Sequence, residues 1–214
     1  MKDIKGIIFD LDGVLLSTDK YHFMAWKKLA DRLGINFTEK DNERLRGVSR
    51  MESLEIVLSL SEQPVKLSED EKIALATEKN NDYRLYLEEL TPDDITDEVR
   101  TSLKALRNKG YKLAIGSSSK NTKFILKKTC LDTYFDAIAD GNDIKNSKPD
   151  PEVFLKAASF IGFSLLECAV IEDAEAGLTA ANNGGFMSIG YASAYDSPLA
   201  EVHLEKFSDL CKLF

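Results

Sequence analysis

The chain opens with a short apolar run and then changes to a helical rhythm of hydrophobic positions. Residues 6 to 9 read Gly-Ile-Ile-Phe, which predicts a short buried strand. From there to about residue 87, apolar residues recur every three or four positions, as at Phe23, Trp26 and Leu29. This segment is therefore predicted to form four consecutive helices. The first ends at Gly34, the second runs from Thr38 to Gly47, the third carries Met51, Leu54, Val57 and Leu58, and the fourth opens with a capping box at Ser68 to Glu71.

From about residue 95 the pattern alternates between helix and strand. This alternation is typical of a parallel sheet that is covered by helices on both faces. Strands are predicted at residues 112 to 115, 136 to 139, 168 to 171 and 187 to 189, with helices that end at Gly110 or begin near Lys120, at Pro151 after Asp150, and near Ala174. We therefore predict an α/β fold with a doubly wound, Rossmann-like parallel-sheet core made of residues 1–16 and 92–214. Residues 17–91 would be a four-helix domain inserted after the first strand.

Composition narrows the possible functions. Hydrophobic residues make up 43% of the 214 residues and charged residues 30%, a globular balance. The formal net charge of -8 argues against nucleic acids and anionic membranes as partners. The three cysteines are widely spaced and the two histidines are too few for a histidine metal centre, so we expect free thiols and a reducing compartment. The sequence has no long apolar segment, and we expect a cytoplasmic location.

The first strand is followed by two carboxylates and a glycine, Asp10, Asp12 and Gly13. Side chains two residues apart on a strand point the same way, so both acids can reach one ligand, and Gly13 permits a sharp turn. One carboxylate can act as an anionic nucleophile at neutral pH while its neighbour exchanges a proton. The alternative is that Asp12-Gly13 is only a turn.

Polar residues also follow the later strands, and ligands of open parallel sheets bind outside the carboxyl ends of strands. Ser117 follows one strand, Glu172 and Asp173 follow another, and Lys148 precedes a proline in a connection. These types suit phosphoryl transfer, because Asp10, Glu172 and Asp173 supply the oxygens that Mg²⁺ prefers. Lys148 and Ser117 can neutralise and position a phosphoryl group. Each also has a plainer interpretation, as a helix cap, a loop or a first-turn acid.

These motifs, in this order, resemble the haloacid dehalogenase superfamily of phosphotransferases. The matching residues are Asp10-Leu11-Asp12-Gly13-Val14, Ser117, Lys148-Pro149 and Glu172-Asp173. The resemblance implies that Asp10 forms an aspartyl-phosphate and that Asp12 is the general acid and base. It also implies that Asp10, the backbone carbonyl of Asp12, and Asp173 hold Mg²⁺. The helical insertion would be a mobile cap.

Within that superfamily the inserted segment is similar to sugar phosphomutases. The resemblance covers Thr18, Tyr21, His22, Phe23, Trp26, Gly47, Val48, Ser49, Arg50, Ser53, Lys79, Asn80 and Tyr83, with Ser119, Lys120, Asn121 and residues 137 to 140 in the core. It implies a reaction that moves phosphate between C1 and C6 of glucose through a bisphosphate. Arg50 can chelate the second phosphate, with Ser119, Lys120 and Asn121 completing that distal site. Lys79 and His22 would hold Asp12 away until substrate binds.

The substrate-binding set that we expect is therefore Thr18, His22, Trp26, Gly47, Val48, Ser49, Arg50, Ser53, Lys79, Ser119, Lys120 and Asn121. Trp26 also suits a place in the core of the helical domain. Ser17 departs from the acid expected beside the hinge, and the segment from Tyr191 onward matches poorly and is expected to close the sheet and form a last helix. His203 has no expected role.

Three other functions would use some of the same sequence features. A Mg²⁺-dependent sugar-phosphate phosphatase would share the core motifs and differ in passing the phosphoryl group to water. A receiver domain also phosphorylates an aspartate, but the helical insertion and the serine cluster disfavour it. A dinucleotide-binding enzyme is disfavoured because no Gly-x-Gly-x-x-Gly follows the first strand. A cap that swings freely would suit a monomer.

Overall fold

A computed structural model describes residues 3–63 and 65–214, which divide into two compact units. One unit contains the residues up to Ser17 together with Thr91–Phe214, and the other is Thr18–Leu90. The division lies within one residue of each boundary predicted from the sequence. No helix in the described part of the chain is both long enough and apolar enough to cross a membrane.

The first unit is built on a parallel sheet. Within the described residues it has six strands in the order β3-β2-β1-β4-β5-β6, and every neighbouring pair is parallel. The strands are β1 Gly6–Phe9, β2 Lys112–Gly116, β3 Ala137–Ala139, β4 Cys168–Glu172, β5 Met187–Tyr191 and β6 Val202–Leu204. The first strand therefore lies between β2 and β4, and the fold class predicted from the sequence is confirmed.

Both faces of this sheet are covered, because neighbouring residues of β1 contact different groups. Ile8 packs in an apolar cluster with Phe154 and Phe186, whereas the ring of Phe9 contacts Phe135 and Phe207. All these strand residues are inaccessible to solvent. The covering helices are α5 Asp97–Asn108, α6 Thr122–Lys128, α7 Glu152–Ile161, α8 Glu175–Asn183 and α9 Leu210–Leu213, counted after the four of the second unit.

The second unit is helical, with α1 Asp19–Arg32, α2 Glu39–Glu43, α3 Arg50–Ser59 and α4 Glu69–Leu87. The capping box predicted at Ser68 and Glu71 is present and opens α4. The apolar faces of these helices meet in a core that contains Trp26, Leu54 and Val57. The four predicted helices are therefore found in the predicted order.

The boundaries of several elements differ from those predicted. The second helix was expected to reach Gly47, but α2 ends at Glu43, because buried Leu45 sits in a turn and Gly47 adopts a positive φ of 72°. Several other elements begin or end one or two residues away from the predicted positions, as with α6, which starts at Thr122 rather than near Lys120. The C-terminal segment provides β6 and α9, as expected of a segment that closes the sheet.

Candidate active site

Asp10 lies at the carboxyl end of the central strand. Strand β1 ends one residue earlier, but the Asp10 amide still donates to Ile171 O at 3.0 Å and continues the ladder. The predicted alternation of Asp10 and Asp12 along a strand is therefore wrong, because the chain bends at Leu11 and Asp12 forms only an isolated bridge with Leu16. Asp12 is partly buried just beyond this bend.

The Lys148 ammonium joins the ends of two strands. It donates to Oδ1 of Asp10 and to Oε1 of Glu172, and its own side chain is 2% exposed. Burial alone would lower the pKa of Lys148, but the two carboxylates outweigh it and raise that pKa above its ordinary value. Lys148 is therefore a fixed positive charge against Asp10, as the sequence predicted, and its peptide bond to Pro149 is cis.

Glu172 is held on both of its oxygens. Oε1 accepts from Lys148, and Oε2 accepts from the amides of Asp173 at 3.0 Å and Ala174 at 3.2 Å. Burial, opposed by Lys148, raises the pKa of Glu172 to about 7. With both oxygens engaged, this carboxylate serves first to hold Lys148 in place.

Asp173 is the more available carboxylate. It is 8% exposed, and no hydrogen bond in the described part of the chain occupies its side chain. Burial, with the charges of Glu172 and Asp10, raises the pKa of Asp173 to about 8. Gly13 backs onto it so closely that a Cβ there would lie 1.9 Å from Asp173 Oδ2, so this glycine makes room for the carboxylate.

The three acids together form a candidate metal centre. One oxygen from each of Asp10, Glu172 and Asp173 lies within 4.8 Å of the others, and all three residues are buried. Three carboxylates against the one ammonium of Lys148 leave an excess of negative charge, which adds to the larger effect of burial in raising the pKa values of Glu172 and Asp173. An oxygen-only, anionic donor set of this kind fits a hard divalent cation. The residues present therefore fit a metal ion.

The loop after β2 carries the predicted phosphate-binding serines. Ser117 is 3% exposed, and its Oγ accepts from the Ser119 amide at 3.3 Å. Ser119 Oγ in turn accepts from the Asn121 amide at 3.2 Å. Because a hydroxyl has one donor and two acceptor positions, Ser117 can still donate its O–H to a phosphoryl oxygen. The loop is thus ordered internally beside the end of β1.

In the helical unit, the Lys79 ammonium contacts three of the predicted residues. Its ammonium lies 2.9 Å from His22 Nδ1 and faces the rings of Trp26 and Tyr83 at 4.6 and 4.7 Å. Because an ammonium only donates, His22 Nδ1 is the acceptor and the imidazole is neutral. Thr18 is linked to the same group through a 2.8 Å hydrogen bond to the Tyr83 hydroxyl. Trp26 is 2% exposed and belongs to the core of this unit.

Positive charge concentrates around His22. Burial, then the charges of Lys79 and Arg50, hold the pKa of His22 well below its ordinary value. Burial also lowers the pKa of Arg50, which is the first residue of α3 and half-buried. Of the other predicted residues, Ser49 caps α3, Ser53 is buried on it, and Gly47 and Val48 form the turn before it.

Two residues that the sequence analysis did not single out support the core site. Gly177, inside α8, faces Glu172 so closely that a Cβ would lie 2.0 Å from its carboxyl group. The ring of Phe154 lies 4.8 Å from the Lys148 ammonium. A glycine inside a helix costs about 1 kcal/mol relative to alanine, so Gly177 was a readable signal. Phe154 carried none, because an apolar residue on a helix predicts only core packing.

The core unit combines a doubly wound sheet with an aspartate suited to act as a nucleophile, a buried lysine and a carboxylate cluster at the strand ends. This combination defines a class of phosphoryl-transfer proteins. A sequence profile described as "haloacid dehalogenase-like hydrolase" matches residues 4–185, and the chain belongs to this family.

Individual relatives are also similar over nearly the whole chain. A beta-phosphoglucomutase of Bacillus subtilis is 39% identical over 207 residues, 97% of this chain and 92% of that protein. A phosphorylated carbohydrates phosphatase of Thermotoga maritima is 31% identical over 188 residues, covering 87% and 84%. The crystal structure of a beta-phosphoglucomutase from Clostridium difficile superimposes with a TM-score of 0.90 at 38% identity, covering 97% and 93%.

Proposed function

We propose that this chain is a beta-phosphoglucomutase, which interconverts β-D-glucose 1-phosphate and glucose 6-phosphate. The observation that carries the proposal is the contact of Lys148 with Asp10 and Glu172 beside Asp173, in a chain 39% identical to a phosphoglucomutase. The arrangement gives Asp10 a neighbouring positive charge and a cluster of oxygens for a cation. Both are needed by an anionic nucleophile that approaches an anionic phosphate.

The chemistry follows from this geometry. Lys148 engages Oδ1 of Asp10, so the other oxygen can attack the phosphorus of a glucose bisphosphate. The new bond is Asp10 O–P, the bond that breaks joins phosphorus to the sugar oxygen, and Asp12 supplies the proton which that oxygen takes up. In the other half-reaction, the free hydroxyl of a glucose monophosphate attacks the aspartyl-phosphate, the Asp10 O–P bond breaks, and Asp12 accepts the hydroxyl proton. The bisphosphate that forms then turns around in the site, so that Asp10 takes up its other phosphoryl group and the isomeric monophosphate leaves.

The proposed metal is Mg²⁺, held by Asp10, Asp173 and the backbone carbonyl of Asp12, with Glu172 beside them. When bound, it would neutralise charge on the transferring phosphoryl group. Ser117 would donate to a phosphoryl oxygen, and Glu172 would keep Lys148 aimed at Asp10.

The helical unit is proposed as the cap that grips the second phosphate. Arg50 and Lys79 supply positive charge around a neutral His22 within this unit, which suits a phosphate dianion. Ser119, Lys120 and Asn121 would complete the distal site. Residues 17–91 as a cap, a monomeric state and a cytoplasmic location stay predictions.

The runner-up is a sugar-phosphate phosphatase, which the Thermotoga relative brings into view. Incubation with β-glucose 1-phosphate, Mg²⁺ and a trace of glucose 1,6-bisphosphate, followed by ³¹P NMR, separates the two. We expect glucose 6-phosphate with little inorganic phosphate. Stoichiometric release of inorganic phosphate would overturn the mutase and establish the phosphatase.

A further inference from the structure

The loop that follows β3 is bonded to the loop that follows β2. Gly141 N donates to Ser119 O at 3.2 Å, and the Asn142 side-chain amide donates to Lys120 O at 3.1 Å. A Cβ on Gly141 would lie 2.3 Å from Ser118 O, so the two backbones touch. The carbonyls that receive these bonds belong to Ser119 and Lys120, two residues assigned above to the distal phosphate.

Asn142 is itself held by a buried acid. Asp140 is fully buried, and its Oδ1 accepts from both the backbone amide of Asn142 at 2.8 Å and the side-chain amide at 3.0 Å. Both neighbours of the Asn142 side chain are pure acceptors, a carboxylate and a carbonyl. The amide nitrogen must therefore face them, with one hydrogen for each.

The buried carboxylate of Asp140 is paired with a lysine side chain that is 57% exposed. Lys123 Nζ lies 3.6 Å from Oδ2, and that oxygen has no hydrogen-bond partner among the described residues. A buried carboxylate is costly unless it is bonded, so the two amide bonds from Asn142 carry much of its stabilisation. Asp140 and Asn142 are consequently fixed to each other, and the position of Asn142 fixes the Lys120 carbonyl.

We propose that Asn142, held by Asp140, is a positioning residue that sets the loop Ser119–Asn121 for binding the second phosphate. This inference rests on the proposed function for the role of that loop. Asn142 is exposed, so its truncation removes the bonds from its side-chain amide to Lys120 O and Asp140 Oδ1 without opening the core. The Ser117 amide is also held by Ala139 O at 3.1 Å, a bond that does not involve Asn142, so the reacting phosphoryl group should be spared.

The test compares two substrates in the full-length protein. For Asn142→Ala we expect the KM for glucose 1,6-bisphosphate to rise roughly 3- to 10-fold, the effect of one lost hydrogen bond. The kcat for phosphate release from p-nitrophenyl phosphate, which has no second phosphate, should stay within about twofold. Asn142→Asp keeps the size but cannot donate to Lys120 O, and should impair the KM at least as much.

Asn146→Ala, which removes an exposed amide from the same connection, is the matched control and should leave both values unchanged. An unchanged KM in Asn142→Ala, or an equal loss with both substrates, would overturn the inference. The wild-type products test the proposed function separately. If the wild type releases only inorganic phosphate, the ratio of variant to wild-type KM for the hydrolysis of glucose 1,6-bisphosphate, which carries a second phosphate, still decides whether Asn142 positions the loop.

Discussion

The carboxylate cluster makes the stability of the metal-free protein depend on pH in an unusual direction. Asp173 has a pKa of about 8 and Glu172 a pKa of about 7 in the folded protein, both raised by burial. In the unfolded chain these acids ionise near pH 4. Over the interval between, the folded state binds more protons than the unfolded state, so stability falls as pH rises through the folded values.

The magnitude follows from the two pKa values. Each pH unit over which one group is protonated only in the folded state removes about 1.4 kcal/mol of stability. At about pH 6.5 an ordinary histidine, such as His22 in the unfolded chain, is losing its charge. From there to about pH 8, the ionisation of Asp173 and Glu172 together lowers the free energy of unfolding by about 3 kcal/mol. For a chain of this length that corresponds to a Tm lower by about 6 to 12 °C.

The assay is thermal unfolding in EDTA at the two pH values, repeated with saturating Mg²⁺. A bound cation keeps both acids ionised in the folded state, so Mg²⁺ should raise the Tm and flatten its pH dependence. Asp173→Asn should remove about two thirds of the metal-free dependence. Asp132→Asn, which changes an exposed acid, is the matched control. A metal-free wild type that is equally stable or more stable at the higher pH would refute the reasoning.

Three substitutions probe separate parts of the site. Gly177→Ala should lower kcat by about 10- to 100-fold, because the added Cβ would displace Glu172, even though alanine favours the helix by about 1 kcal/mol. A kcat equal to that of the wild type would contradict this contact. Asp12→Asn should slow the sugar reaction by roughly 10²- to 10⁴-fold but affect p-nitrophenyl phosphate less, since that leaving group needs no proton; equal losses would refute an acid and base role. Arg50→Ala should impair mutase turnover while sparing phosphate release from a small monophosphate. Arg50→Lys should have an intermediate effect, because the charge stays but a bidentate contact is lost. Parallel loss of both activities would contradict a role for Arg50 in binding the distal phosphate.

Much of the core site was predictable because parallel strands bring their carboxyl ends to one edge. The positions of Asp10, Glu172 and Asp173 followed from two apolar runs, residues 6 to 9 and 168 to 171, that end in acids, and their assembly is confirmed. The partners of each acid were not predictable. The Glu172 oxygens accept hydrogen bonds from Lys148 and two backbone amides, and this arrangement depends on packing between segments far apart in the chain.

Element boundaries failed where tertiary packing overrode the local pattern. In the sequence, Leu45 continues the helical pattern of apolar positions. In the structure, its side chain is buried but the residue lies in a turn after α2 has ended. The expected alternation of Asp10 and Asp12 failed because hydrophobic periodicity does not show where a strand bends. The Asp140–Asn142 pair was missed because two polar residues in a loop give no periodic signal.

The claim on which the account depends most is that Asp10 itself carries the phosphoryl group. Acid-quenching the enzyme with glucose 1,6-bisphosphate and Mg²⁺, followed by peptide mapping by mass spectrometry, measures this directly. The account predicts one phosphoryl group on the peptide that contains Asp10, lost on treatment with hydroxylamine and absent in Asp10→Asn. A phosphoryl group on any other residue would contradict it.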